Sequence, residues 1–299
     1  MLTLAEYKDE LALAAPFLVQ EPLPAPSQLP SLVQELLARL AEKDGWPAHV
    51  SAGLTPRQTL YAALISRPAR PLAVGFMNQL DLLLAREAAA RTTVSAAALA
   101  KVAQWSGRTD HAAQSCAVWE GDIITLKVDA IVNAANSALL GCFRPFHACI
   151  DNCIHAACGP RLRADCQLLM QRQGAPEPTG CSKLTRAYHL PARFILHTVG
   201  PIHAGDSSAI SPEQSRLLAA CYWSCLDTAA AFPGIRSLAF PCISTGVFGF
   251  PAKPAAAIAI RTVEQWLEAH PGQLDLVVFN VFSTQDGEIY RSLLKRRLS

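Results

Sequence analysis

EGDIITLKVDAIVNAAN, residues 120–136, decides the fold class. Its second half, AIVNAA at 130–135, is apolar except for Asn133 and reads as a strand buried on both faces. Three later runs share that texture: RFILHTVG at 193–200, SLAFPCIST at 237–245 and DLVVFNVF at 275–282. A short strand over Cys116–Trp119 precedes them. Helical patterns lie between, around Cys149–Gln173, Ser211–Phe232 and Pro254–Ala269, with a last one over Asp286–Leu298. Alternating strands and helices of this kind predict a three-layer α/β/α domain with a mostly parallel sheet over residues 111–299. Ligands of such sheets bind beyond the carboxyl ends of the strands. The loops after Ala135, Val199 and Ile243 are therefore the places to look for chemistry.

Upstream, residues 1–110 read as an all-α region. SLVQELLARLAEK at 31–43 sets Leu32, Leu36, Leu37 and Leu40 at helical spacing behind a serine cap. Thr55-Pro56 starts a second helix, with proline in the first turn. Phe76–Arg91 reads as a third helix and Val94–Trp105 as a fourth. No constellation of reactive side chains stands out here, so the region reads as a packing or substrate-positioning module.

Composition narrows the function classes. The chain has 299 residues, 51% of them hydrophobic, and a net charge of +2. That is ample for a large core and argues against non-specific nucleic-acid binding, which needs a basic face. No apolar run approaches the ~20 residues that span a bilayer. MLTLAEYKDE lacks the order of a secretory signal, so an intracellular protein is expected, cytoplasmic or, in a eukaryote, organellar. All 10 cysteines lie between Cys116 and Cys242, and no C-x-x-C occurs. A zinc ribbon and a thioredoxin-type pair are excluded, and most of these thiols read as small buried hydrophobes.

Four motifs in order, GDIITLKVDAIVNAANSALLG (121–141), CIDNCIHAACGP (149–160), TGCSKLTRAYHLPARFILHTVGP (179–201) and STGVFGFP (244–251), resemble the macrodomain family of ADP-ribose-binding modules. The resemblance covers about Cys116–Leu298. It implies that Asp122, with Ile123 beside it, contacts adenine, and that Asn136 contacts the distal ribose and takes part in catalysis. It likewise implies a phosphate-binding loop of Ser244, Thr245, Gly246, Val247, Phe248, Gly249 and Phe250, with Phe282 packing on adenine. From the residues alone, Asn136 reads first as a turn or cap residue, and the G-x-x-G of the loop equally as a simple turn. There is neither G-x-G-x-x-G nor a P-loop.

One loop departs from the commonest hydrolase pattern, a run of glycines. GCFRPFHACID, residues 141–151, instead resembles the zinc-containing branch of macrodomains, whose members carry an N-terminal helical extension and remove ADP-ribose from proteins. Some are encoded beside a sirtuin-type ADP-ribosyltransferase and a lipoylated carrier protein. Cys142, His147 and Cys149 form C-x4-H-x-C, two thiolates and an imidazole with a fourth metal position left open, as in catalytic zinc sites. Spacing alone leaves two buried thiols and a loop histidine equally open; the resemblance points to Zn(2+). Asp151 matches the acid of the glycine-loop hydrolases. It is placed to orient or deprotonate a water, or to stabilise positive charge at ribose C1; the alternative is a helix cap. His155 reads as a packed residue.

The implied partners are ADP-ribose and an ADP-ribosylated protein, a lipoylated carrier among the candidates, with neither nucleic acid nor membrane. Three functions follow: a zinc-dependent mono-ADP-ribosyl-protein hydrolase, a reader that binds without cleaving, and an O-acetyl-ADP-ribose deacetylase. A reader needs no metal and no acid near the distal ribose, which favours an enzyme. A nucleobase deaminase would need H-x-E and C-x-x-C, both absent.

Overall fold

Along each central strand apolar residues alternate between two faces, and both faces are covered. The computed structural model describes residues 1–19, 22–44, 53–203 and 209–296. Its α-helices are α1 (Leu4–Tyr7), α2 (Leu29–Asp44), α3 (Pro56–Ser66), α4 (Val74–Ala89), α5 (Ala103–Ser106), α6 (His111–Ser115), α7 (Ile150–Cys158), α8 (Pro160–Gln173), α9 (Pro212–Ala231), α10 (Ala252–Ala269) and α11 (Thr284–Leu294). Its strands are β1 (Val94–Ser95), β2 (Cys116–Glu120), β3 (Leu126–Lys127), β4 (Ala130–Ala135), β5 (Ser182–Arg186), β6 (Phe194–Val199), β7 (Ser237–Phe240) and β8 (Leu276–Val281). Six form one sheet in the order β2-β8-β7-β4-β6-β5. All neighbours run parallel except β5, which is antiparallel to β6.

Ala130 and Val132 of β4, Leu196 of β6 and Phe279 of β8 pack on one side with Leu218 and Cys225 of α9 and Trp266 of α10. Ile131, Ile195 and Val278 point the other way, against Ile154 and Cys158 of α7 and Leu162 and Cys166 of α8. This is the period-2 signature of strands buried on both faces, the three-layer arrangement expected. Leu36, Leu40, Leu60, Leu80 and Leu83 form a separate cluster among α2, α3 and α4. Tyr7 and Val102, by contrast, join the core of the sheet domain.

Four local expectations are corrected. Val94–Trp105 is not one helix: Val94 and Ser95 pair with Leu126 and Lys127, a 3₁₀ turn follows, the Val102 amide donates to the Cys116 carbonyl (2.8 Å), and helix forms only at the end, in α5. Pairing with the sheet domain overrides the helical propensity of its alanines. The 237–245 run is a strand only to Phe240, because Pro241 has no amide to donate to a ladder. The 149–173 stretch is two helices, divided at Gly159, whose φ of 82° is followed by Pro160 at the start of α8. A side chain at Gly159 would strike Leu84 of α4, with Cβ only 2.4 Å from its Cδ1. The last helix starts at Thr284, capped by Ser283, and the end of its expected range lies outside the described residues.

β5 carried no strand signal, since Ser182, Lys183, Thr185 and Arg186 give it a polar appearance. Its inward Lys183 pairs with Glu177 at 2.9 Å, both fully buried. The Leu184 amide donates to the Tyr7 hydroxyl (2.7 Å), so the N-terminal segment caps this edge of the sheet. Among the described residues, no helix is long and apolar enough to cross a membrane.

Candidate active site

Five loops meet the carboxyl ends of the parallel strands. After β2, the Gly121 amide donates to the Val281 carbonyl (2.9 Å), and its own carbonyl accepts from Asn280 Nδ2 (2.9 Å). The Trp119 indole folds over Gly121 so closely that a Cβ there would lie 2.4 Å from the ring. Asp122 follows, exposed, and its carboxylate accepts from the Ile124 amide (3.1 Å) to cap a 3₁₀ turn. Ile123 sends its side chain into the core, leaving only backbone at the strand edge. Phe282, directly after β8, is 82% exposed.

The loop after β4 is unusual in its backbone. Asn136 Oδ1 accepts from the Ala138 amide and its Nδ2 donates to the Gly141 carbonyl, both at 3.0 Å. Asn136 is thus the turn residue of the loop, and its amide retains one N–H and one lone pair for a ligand. Leu139, Gly141, Phe143 and Phe146 all have φ between 55° and 86°. For the three non-glycine residues this left-handed geometry costs about 1–3 kcal/mol each, strain that gathers at functional sites. At Gly141 a Cβ would come within 3.2 Å of the His155 ring.

Folding of this loop brings Cys142, His147 and Cys149 together, with all donor atoms within 4.8 Å of one another and Cys142 Sγ 3.7 Å from His147 Nδ1. Two thiols and an imidazole are the donor chemistry that suits zinc. Burial first, and the neighbouring Cys142 with it, push the Cys149 thiol up to about 11 against a backbone hydrogen bond from Asn152. Two sulfurs this close ionise together only with a cation between them, so the donor set fits the metal.

Asp151 opens α7 and is 5% exposed. Asn133 Nδ2 donates to its Oδ1 (2.7 Å) and faces His197 Nδ1 (3.1 Å). Burial raises the Asp151 carboxyl to about 6, against the hydrogen bond from Asn133 and the charge of Arg163. Burial likewise lowers His155 and His197 to about 3, so both rings are neutral near pH 7. With Nδ1 accepting from Asn133, His197 carries its proton on Nε2 and donates to Thr185 Oγ1 (2.9 Å). His155, Cys166 and His197 also bring donor atoms within 4.8 Å. Both His197 nitrogens are engaged, however, and burial holds the Cys166 thiol protonated, so this second cluster is a packed polar layer beneath the loop.

After β7, the Phe250 amide donates to the Ser244 carbonyl (2.9 Å) and the Gly249 amide to Gly246 (3.0 Å). Thr245 Oγ1 donates to the Cys242 carbonyl (2.9 Å). Phe250 is buried in the core, while Gly246 and Val247 are exposed. Among the described residues, the Gly246, Val247 and Phe248 amides donate no hydrogen bond, as an anion-binding turn requires. Ser244, with φ 67°, lies against Gly200 of the loop after β6, where any Cβ would collide with its Oγ.

The Macro domain family model matches residues 132–259. A mutant of the Oceanobacillus iheyensis macrodomain, solved with ADPR, is 38% identical, with the match covering 63% of this chain and 96% of that one at a TM-score of 0.55. This chain belongs to the macrodomain family. The Trypanosoma brucei macrodomain in complex with ADP-ribose matches 80% of this chain and 95% of its own length, at 29% identity and a TM-score of 0.59. A protein-ADP-ribose hydrolase of Treponema medium is 54% identical over 177 residues, 59% of this chain and 66% of that hydrolase's length.

Four residues that sequence reasoning did not single out surround the Cys142–Asp151 loop. Asn133 holds Asp151; its only signal was an amide inside an apolar strand. Asn152 Nδ2 lies 2.9 Å from the His147 carbonyl and 3.1 Å from that of Arg144. Arg163 sits over the Phe143 ring at 4.4 Å, and Tyr61 lies against Phe146 at 5.1 Å. Tyr61 comes from a helix about 80 residues before the loop and Arg163 from α8, and nothing in their neighbours marks them.

Proposed function

We propose that this macrodomain is a zinc-dependent hydrolase that releases mono-ADP-ribose from modified proteins. One observation carries the reading: a single strained loop gathers Cys142, His147 and Cys149 between Asn136 and the buried carboxylate of Asp151. In this reading Asp122 accepts from the adenine amino group, the 244–250 turn receives the diphosphate through backbone amides, and Asn136 orients the distal ribose. Phe282 covers adenine from the end of β8. Asp151, fixed by Asn133, orients the attacking water or stabilises positive charge at ribose C1. Zinc on Cys142, His147 and Cys149, when bound, supplies a Lewis acid whose charge two thiolates temper. The identity of the Treponema medium hydrolase and the ADP-ribose-bound relatives support the substrate class. A lipoylated carrier protein is the modified substrate to try first.

Metal analysis coupled to a de-ADP-ribosylation assay tests it. The purified chain is expected to hold about one zinc, as a three-ligand open site would. His147→Ala is expected to lose zinc and hydrolysis together while keeping most of its affinity for ADP-ribose. Full activity of metal-free protein removes zinc from the reaction. Binding of ADP-ribose without release from any modified protein would make the chain a reader, and release of acetate from O-acetyl-ADP-ribose alone would make it a deacetylase.

A further inference from the structure

The metal loop departs from ordinary backbone geometry at two aromatic residues, Phe143 (φ 55°) and Phe146 (φ 60°), which bracket the gap between Cys142 and His147. A left-handed phenylalanine persists only where its surroundings over-determine it. The surroundings are specific. The Phe146 ring lies 5.1 Å from the ring of Tyr61 on α3. The Tyr61 hydroxyl lies 3.0 Å from Asn152 Nδ2, whose two N–H groups it shares with the Arg144 and His147 carbonyls. The Phe143 ring lies under the Arg163 guanidinium at 4.4 Å. Arg163 is in turn anchored by donating to the Leu64 and Arg67 carbonyls at the end of α3, 3.0 and 3.2 Å away. The ring contacts of both strained residues therefore lead to one helix of the N-terminal helical cluster.

We infer that α3 is the brace of the metal loop: Tyr61 directly, and Leu64 and Arg67 through Arg163, hold Phe143 and Phe146 so that Cys142, His147 and Cys149 stay within reach of one ion. Tyr61 and Arg163 are positioning residues, since neither is a ligand. This rests on the proposal that those three residues bind zinc, and it gives the helical region a task in the chemistry. Asn152 is the joint. Its amide touches α3 on one side and the backbone of the ligand His147 on the other, so displacing Tyr61 frees the His147 carbonyl to move. Groups that orient metal ligands without touching the metal commonly govern affinity by 10–100-fold when removed.

The test is zinc affinity, measured by competition with a chromophoric chelator on the full chain, beside ADP-ribose affinity by calorimetry and the thermal midpoint. Tyr61→Ala is expected to weaken zinc about 10–100-fold, with ADP-ribose affinity changed by less than about threefold because the adenine and diphosphate loops lie elsewhere on the sheet edge. Tyr61→Phe keeps the ring against Phe146 and loses only the hydroxyl. It is expected to fall between wild type and Tyr61→Ala, and serves alone if the alanine variant does not fold. Arg163→Met, which keeps bulk beneath Phe143 but removes the charge and the anchors on α3, is expected to weaken zinc similarly. Zinc bound by wild type and by folded Tyr61→Phe and Arg163→Met with equal affinity overturns the brace while leaving the zinc site standing. A wild-type chain that binds no zinc overturns both, and equal losses of zinc and ADP-ribose affinity would make α3 a general support of the fold instead.

Discussion

The loop after β7 closes largely on itself: Phe250 bonds back to Ser244 and Gly249 to Gly246, within seven residues, and the neighbouring His203 amide donates to its Phe248 carbonyl (2.8 Å). The loop after β4 is closed by Asn136 as far as Gly141; beyond that the His147 amide donates to the Arg144 carbonyl (3.2 Å) and the Cys149 amide to the His147 carbonyl (2.9 Å). These short turns leave its aromatic side chains to be held by α3 and α8, and its carbonyls by Asn152, which itself bonds Tyr61, 91 residues away in the chain. A self-contained turn presents backbone amides, which are the same whatever the side chains. A braced loop presents side chains in a backbone it would not adopt alone. The first suits a diphosphate, recognised by charge and by N–H groups. The second suits a metal and an acid, whose distances must be fixed to fractions of an ångström.

That contrast can be broken experimentally. Asp151→Ala, in the braced loop, is expected to lower kcat for ADP-ribose release about 10²–10⁴-fold with zinc retained. Single-turnover rates read beside metal content decide it, and a joint loss would make Asp151 scaffolding for the metal. Gly249→Glu, in the self-contained turn, is expected to weaken ADP-ribose about 10²-fold by setting a carboxylate against the diphosphate. Its φ of 68° and the His203 carbonyl 3.2 Å from its Cβ position add strain. Unchanged affinity in calorimetry would leave that loop a mere turn.

Asp122→Ala is expected to cost about 1–3 kcal/mol of ADP-ribose affinity by leaving the adenine amino group unpaired. Ribose 5-phosphate, which lacks adenine, should be insensitive to it. The smallest effect concerns the brace side of α8. Burial raises the Asp165 carboxyl to about 6, against a hydrogen bond donated by Tyr188 (2.5 Å). The native state then holds a proton between pH ~4 and ~6 that the unfolded chain has released. The stability it contributes is complete below that window and is lost as the pH rises through it. Asp165→Asn is expected to flatten this slope, on the order of 1 kcal/mol, in thermal midpoints taken from pH 4 to pH 8. A slope identical to wild type would show that another group produces it.

What the sequence determined by itself is whatever depends on local pattern. Strands buried on both faces are apolar throughout, so β4, β6 and β8 were legible to within a residue. The Thr55-Pro56 start of α3 and the G-x-x-G turn after β7 are written in consecutive residues, and so is the Cys142, His147 and Cys149 cluster, eight residues from first to last. Tertiary structure alone decided the rest. β5 is polar in sequence because its partners, Glu177 for Lys183 and His197 for Thr185, are supplied by neighbours. Val94–Trp105 gave up most of its helix because pairing with β3 and β2 outweighs a few tenths of a kcal/mol of propensity per residue. The brace of Tyr61, Arg163 and Asn152 left no local trace. A hydrogen bond between residues 91 apart depends on where two helices pack, and packing belongs to the folded chain as a whole.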